Sequence, residues 1–387
     1  MTPALAMRER SSGDRPAAED DGTRWRAIAA VVLAAAVLTQ LAFIAYLGNR
    51  AYTDVMRSVG FGAGVESGVI GIRTHVDNSK TFVGPLLWIR LVETFGLAGI
   101  KAFNVAAFAG IFAVQAAIGR RLFDRRVTLV ALALTAFYTG TIRNVVASEP
   151  DDMMASLLFA LGALTWIAGR SVATAAGAGV LMGCAFLFKF WVLIVFGGFG
   201  LFLATRRDWA SLVAASVAFA IPFVCVTLVD GGASLAGFFG SAKRQHGYSP
   251  WMVVVARLFV TGLLPAFVAA GLAAVRRPGL PTAFAFLVPA PYLFYVVGMR
   301  DAFAVSFVMM LCLVFWSLPI AMLLLESRRL AVGRRFQAVL ALYLIAAPLN
   351  AWLNLWRDTH TFQIVPGCSS TPLDSAAPRI AARCVKD

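Results

Sequence analysis

Residues 172–205 read VATAAGAGVLMGCAFLFKFWVLIVFGGFGLFLAT, an apolar run of 34 residues in which Lys189 is the only charge. A helix needs roughly 20 apolar residues to cross a bilayer, with about 17 at the short limit. The run is too long for one crossing. Arg170 stands before it and Arg206 and Arg207 after it, and clustered arginines mark cytoplasmic ends. Two ends on one side require an even number of crossings. The stretch therefore predicts a hairpin of two short helices that turns near Lys189 and carries that lysine to the outer surface.

The rest of the chain agrees with this solvent. Of 387 residues, 60% are hydrophobic and 14% charged, and the mean hydropathy is +0.78. Those values describe an integral membrane protein with little room for a separate soluble domain. A net charge of +14 would suggest nucleic acid in a soluble chain. Here the arginines sit in short clusters between apolar runs, where they orient helices, so no nucleic-acid partner is expected. Membrane lipids are.

Apolar spans are expected at about 27–47, 98–118, 127–142, 152–168, 172–188, 190–205, 212–229, 253–275, 281–298, 303–325 and 336–354. That is an all-α polytopic membrane protein with about eleven transmembrane helices. Residues 1–26, with Arg8, Arg10, Glu19, Asp20 and Asp21, are expected to be a disordered cytoplasmic tail, and 27–354 the membrane-embedded domain. Residues 49–97 form a first external loop and 355–387 a short external C-terminal tail. Arginine clusters at Arg24–Arg26, Arg120–Arg126, Arg170, Arg206–Arg207, Arg276–Arg277 and Arg328–Arg335 alternate as this topology requires, with the N-terminus inside. Within the first loop, 51–63 fits a short interfacial helix. Residues 85–95, PLLWIRLVETF, fit either a helix along the bilayer surface or a slanted start to the second span. Cys368 and Cys384 fall in the external tail, where an oxidising compartment would favour a disulfide.

This topology gathers the reactive groups outside. His75, His246 and His360 all fall there, with most of the carboxylates. The second external loop ends in Ser148-Glu149-Pro150-Asp151-Asp152. Ser148 with Asp151 approaches a capping box, and Pro150 with the acids suits a first helical turn. A cap needs one or two acids, and three at a membrane boundary also suit a metal, a cation or a sugar. The external loop at 230–252 holds Lys243, Arg244 and His246, a patch for a phosphate or for anionic lipid headgroups. No phosphate-binding glycine loop, HExxH or GxSxG motif is present. A divalent metal remains possible, with no spacing that defines its ligands.

Taken in order, several stretches resemble the GT-C superfamily of membrane glycosyltransferases, the group of the protein O-mannosyltransferases and the aminoarabinose transferases. Asp54 stands just outside the first helix. Lys80-Thr-Phe-Val-Gly84-Pro85-Leu86-Leu87-Trp88 is similar to the family's lysine, prolines and aromatic before a surface helix. GRRLFDRR at 119–126 resembles its cytoplasmic turn, Glu149 to Asp152 its acidic opening of the fourth helix, and 177–207 its glycine-rich hairpin with a lysine at the tip. The likeness covers about 27–207. Pro85 stands alone where the family often has two prolines, and the tail is far shorter than the soluble domain some members carry.

The resemblance implies an inverting transfer of a sugar from a polyprenyl-phosphate donor to a cell-envelope lipid, glycan or protein acceptor, on the outer face of a bacterial cytoplasmic membrane. It implies Asp54 as general base. Lys80, Lys189, Lys243 and Arg244 are then the cations for the donor phosphate, with Lys189 foremost. Glu149, Asp151 and Asp152 orient the acceptor, or hold a divalent ion with His246. Two other functions suit so many helices: a transporter or flippase of a lipid-linked sugar, and a noncatalytic assembly partner. Few central charges and no evident inverted repeat speak against transport.

Overall fold

The computed structural model describes residues 18–48, 50–66, 80–138, 141–142, 145, 150–243, 249–298, 309–326 and 364–366, with isolated positions between 338 and 356. Within these the chain is helical apart from one two-stranded sheet. The order is α1 (Ala18–Leu47), β1 (Arg50–Tyr52), α2 (Thr53–Glu66), α3 (Val83–Leu122), α4 (Arg125–Ala136), α5 (Pro150–Gly169), α6 (Val172–Phe188), α7 (Val192–Thr205), α8 (Trp209–Val229), α9 (Ala233–Lys243), α10 (Trp251–Val260), α11 (Leu263–Arg276), α12 (Leu280–Leu287), α13 (Ala290–Gly298), α14 (Met309–Leu325) and β2 (Ile364–Pro366).

Helices lie in all but one of the expected spans, but they differ in length and continuity. Among the described residues, Ala27–Leu47, Val83–Leu122, Pro150–Gly169, Trp209–Val229 and Leu280–Gly298 are long and apolar enough to cross a membrane. The bent pair α10–α11 makes a sixth if it is one crossing. α6, α7 and Met310–Leu325 are apolar but shorter. The expected span at 336–354 lies largely outside the described residues, as do the two tail cysteines. α1 begins at Ala18, within the stretch expected as a tail.

The hairpin of the long apolar run is present. α6 ends at Phe188, Lys189 is extended (φ −151°, ψ 118°), and α7 starts at Val192. On its other face α6 meets α8 through glycine. A Cβ at Gly179 would collide with the backbone of Ala215, and one at Gly183 with that of Phe219. Small residues four apart let two backbones approach closely, which is how helices associate where lipid is the solvent. Away from this contact α8 exposes Val213, Val217, Ile221, Val224 and Leu228, a continuous apolar face of the kind that lipid covers. α14 is the opposite case. Met310 to Leu323 are buried nearly all round, as a central helix must be. Gln115 of α3 ties it in, donating to Ser317 Oγ (2.8 Å), Thr135 Oγ1 (2.8 Å) and the Val314 carbonyl (3.1 Å).

Two breaks shape the remainder. Gly96 (φ 64°, ψ −165°) interrupts α3 in a conformation that only glycine adopts readily. The rings of Trp88 and Phe103 lie 5.0 Å apart, whereas a straight helix would separate those positions by about 22 Å. The chain therefore folds back sharply at Gly96, and 83–95 is a separate helical segment rather than a straight start to the second span. The break at Gly262 (φ 77°) bends α10 from α11 by 70°, so the single helix expected over 253–275 is two. The freed carbonyls are answered: the Tyr138 hydroxyl donates to Thr261, and Asn350 Nδ2 to Val260 at 3.3 Å. Finally, β1 pairs antiparallel with β2, Ala51 opposite Val365. The segment leading into α2 is thus bonded to the C-terminal region.

The glycine contacts make a measurable difference. Gly183→Ala adds only the Cβ that meets the Phe219 backbone, and overpacking of this kind costs about 1–3 kcal/mol. Gly177→Ala meets nothing nearer than Thr165 Cγ2 at 3.5 Å and gains helix propensity of up to about 1 kcal/mol. Thermal unfolding in detergent should rank Gly183→Ala below the parent and Gly177→Ala at or above it.

Candidate functional site

The site begins where α3 starts. Thr81, two residues before it, donates twice to the carbonyl of Leu187, from its N–H (3.0 Å) and from Oγ1 (2.8 Å). Leu187 lies in the last turn of α6, where carbonyls lack helical partners. This clasp fixes the end of the first loop to the turn that carries Lys189. Pro85 falls in the first turn of α3, where its missing N–H costs nothing.

Lys80 sits beside the clasp with its side chain 2% exposed, and its Nζ donates to Asp151 Oδ2 at 2.8 Å. Trp88 Nε1 donates to the other oxygen, Oδ1, at 2.6 Å. Gly84, one turn earlier on the same face of α3, completes the cradle, because a Cβ there would collide with Asp151 Oδ1. The Trp88 ring is wedged against Phe103 and Phe188, 5.0 and 6.0 Å away. Asp151 itself is fully buried in the first turn of α5, just after Pro150. Its carboxylate therefore does not act as a helix cap; it spans to α3 and to the first loop.

The neighbouring pair is looser. Lys189 Nζ lies 3.7 Å from Asp152 Oδ1, with the two side chains 4% and 6% exposed. Lys189 stands at the hairpin turn as expected, but it is buried rather than carried to an open surface, because Asp152 draws it inward. Among the described residues, two ammonium groups and two carboxylates are thus enclosed together at one end of the helical assembly. A buried charge is tolerated only in such pairings.

Other acids have plain structural partners. Asp230 accepts from the N–H groups of Gly232 (3.0 Å) and Ser234 (2.8 Å) at the start of α9. Glu66 and Glu93 flank the exposed Arg90 at 2.7 and 3.6 Å. The first of these contacts fastens the end of α2 to the first segment of α3, and Gly62 packs against the Pro85 carbonyl beside it.

Of the residues singled out from sequence, Lys80, Asp151, Asp152 and Lys189 converge. Asp54 is the second residue of α2, on the helix that packs against 83–95, and Lys243 closes α9; both are described by backbone alone. Glu149, Arg244 and His246 lie outside the described residues, as do His75 and Asp77. Among the described residues no three His, Cys, Asp or Glu side chains group as metal ligands. Trp88, Thr81 and Gly84 acquire specific roles that composition does not signal. The spacing of Gly84 and Trp88, four residues apart on one helix face, is the trace they leave. No protein-family model matches the chain, and no curated protein matches it.

The buried pair predicts an asymmetric response to mutation. Asp151→Asn leaves the Lys80 ammonium buried without its carboxylate, and breaking a buried pair on one side costs about 3–5 kcal/mol. Replacing both members, Lys80→Met with Asp151→Leu, removes the charge along with its partner and should recover most of that loss. The melting temperatures of the two variants in detergent, compared with the parent, decide this.

Proposed function

We propose that the chain is an inverting glycosyltransferase of the bacterial cytoplasmic membrane that moves a sugar from a polyprenyl-phosphate donor to an envelope acceptor on the extracytoplasmic face. The observation that carries this reading is the enclosure of Lys80, Asp151, Asp152 and Lys189 at one end of a membrane helical assembly, against the segment onto which the helix of Asp54 packs. Buried ionisable groups in such a protein are costly and mark functional sites by default. The order of the same residues along the chain adds the GT-C resemblance.

In this reading the shorter apolar helices also cross the bilayer, which gives the eleven-crossing topology, with a cytoplasmic N-terminus. Asp54 is the general base. It takes the proton of the acceptor hydroxyl as that oxygen attacks the anomeric carbon, on the face opposite the phosphate. The new glycosidic bond forms while the bond from carbon to phosphate oxygen breaks, so configuration inverts and the lipid phosphate leaves with the electron pair. Its growing negative charge needs a preorganised cation. Lys189 supplies it, and Lys243, Arg244 and His246 are the further donor-phosphate residues of this reading. Glu149 and Asp152 orient the acceptor. Lys80 and Asp151, engaged with each other, stand outside the reacting set.

The identity of the sugar comes first from mass spectrometry of envelope glycans and lipids in deletion and parent cells, where one missing sugar names donor and acceptor. Transfer from that polyprenyl-phosphate sugar is then measured with purified Asp54→Asn protein. General-base help contributes about 10²–10⁴-fold, so a loss of that size is expected. Full retained activity would exclude Asp54 as the base.

A further inference from the structure

The contacts of Asp151 suit mechanical work rather than contact with a ligand. Asp151 is held on both oxygens at 2.6 and 2.8 Å, by donors on either side of the start of α3, with Gly84 shaped to admit it. Nothing in that geometry offers an oxygen to an acceptor. The Lys189–Asp152 contact is 3.7 Å and lies at the turn between α6 and α7. Between the two pairs runs the Thr81 clasp onto Leu187, two residues before Lys189.

We propose that Asp151 is a positioning residue: through Lys80 and Trp88 it locks the end of the first loop onto α5 and the last turn of α6, and so fixes Lys189 where a lipid-linked phosphate meets it. The inference rests on the lipid-phosphate reading of the site. It differs from that reading in what it asks of Lys80, whose charge serves Asp151 and not the ligand. The mechanical path is short. Lys80 and Thr81 are adjacent, Thr81 holds Leu187, and the ring of Trp88 lies against Phe188, next to Lys189. Loosening Asp151 frees the segment that clasps the turn, and Lys189 loses its fixed place.

The test measures the affinity of the full-length protein in lipid nanodiscs for a polyprenyl monophosphate without sugar, by competition with a fluorescent analogue. Measurements are made well below the unfolding temperature of each variant. Lys189→Met should weaken binding at least tenfold, the loss expected for one charge-assisted contact. Asp151→Asn should also weaken it tenfold or more, although Asp151 does not face the ligand. Replacing the pair jointly should restore the parent affinity to within about threefold. Lys80→Met with Asp151→Leu does this with apolar groups, and Lys80→Gln with Asp151→Asn does it with a neutral hydrogen-bonded pair should the apolar version fail to fold. A residue that merely stabilises the protein would not move the affinity of the folded Asp151→Asn protein.

Joint replacement that loses binding as deeply as Lys189→Met overturns the proposal and makes Lys80 a phosphate contact. Unchanged binding in Asp151→Asn overturns it as well. If the parent protein binds no polyprenyl monophosphate, the transferase reading fails. The lock is then judged on protection of the Lys189 turn in hydrogen exchange: loss in Asp151→Asn with recovery in the joint variant supports it, and unaltered protection refutes it.

Discussion

A charged pair buried from solvent fixes where three helices of this structure meet. Lys80 and Asp151 are brought together across the first loop and the start of α5, and neither can be moved alone, since a lone buried ion costs several kcal/mol. Three further features exist to make the pair tolerable. Trp88 turns its N–H to the second carboxylate oxygen, Gly84 leaves room for it, and Thr81 closes the loop on α6. Remove the pair and those features lose their reason. Keep it, and the starts of α3 and α5 and the end of α6 must meet at one point.

The rest of the assembly is held by a different kind of force. Where lipid surrounds the helices, burial of apolar surface gives little drive for association, and close packing must supply it. Gly179 and Gly183 bring α6 onto α8 at backbone contact, and Gly198 does the same for α7 against the Leu287 and Val288 carbonyls. Polar contacts between helices add to this packing, such as those of the Gln115 amide with Thr135 and Ser317. These contacts set distances between helices. The charged cluster at one end sets which ends coincide.

The hairpin at Lys189 was legible because it rests on one-dimensional facts: a run too long for one helix, one charge within it and arginines at both ends. The convergence of Asp151, Asp152 and Lys189 was legible as a group, through order along the chain. The division of labour between the two aspartates was not. Asp151 follows a proline at a helix start, so its local context reads as a cap, and only the third dimension reveals Lys80 and Trp88 as its partners. The folding back at Gly96 was hidden for a similar reason, since a glycine within an apolar run carries no sign of its φ. The pairing of Arg50–Tyr52 with Ile364–Pro366 joins segments from opposite ends of the chain, three residues each, too short for alternation to declare a strand. The continuity of the helices was not legible, because hydropathy scores composition while breaks such as Gly262 decide where a helix stops.

For the proposed chemistry, the most telling property of the described residues is that each of the two ammonium groups faces a carboxylate. A phosphate arriving at two bare ammonium groups would bind too tightly to leave, and a neutral site would not bind it at all. An ammonium that already faces a carboxylate at 3.7 Å can pass part of its interaction to an incoming phosphate without either ion being stripped of partners. The Lys80–Asp151 pair cannot make that exchange cheaply, because two short hydrogen bonds and the packing of Trp88 would have to yield together. One pair therefore suits a fixed foundation and the other a contact that is made and released. The fixed pair stands nearest the clasp, where it governs the geometry of the exchanging one.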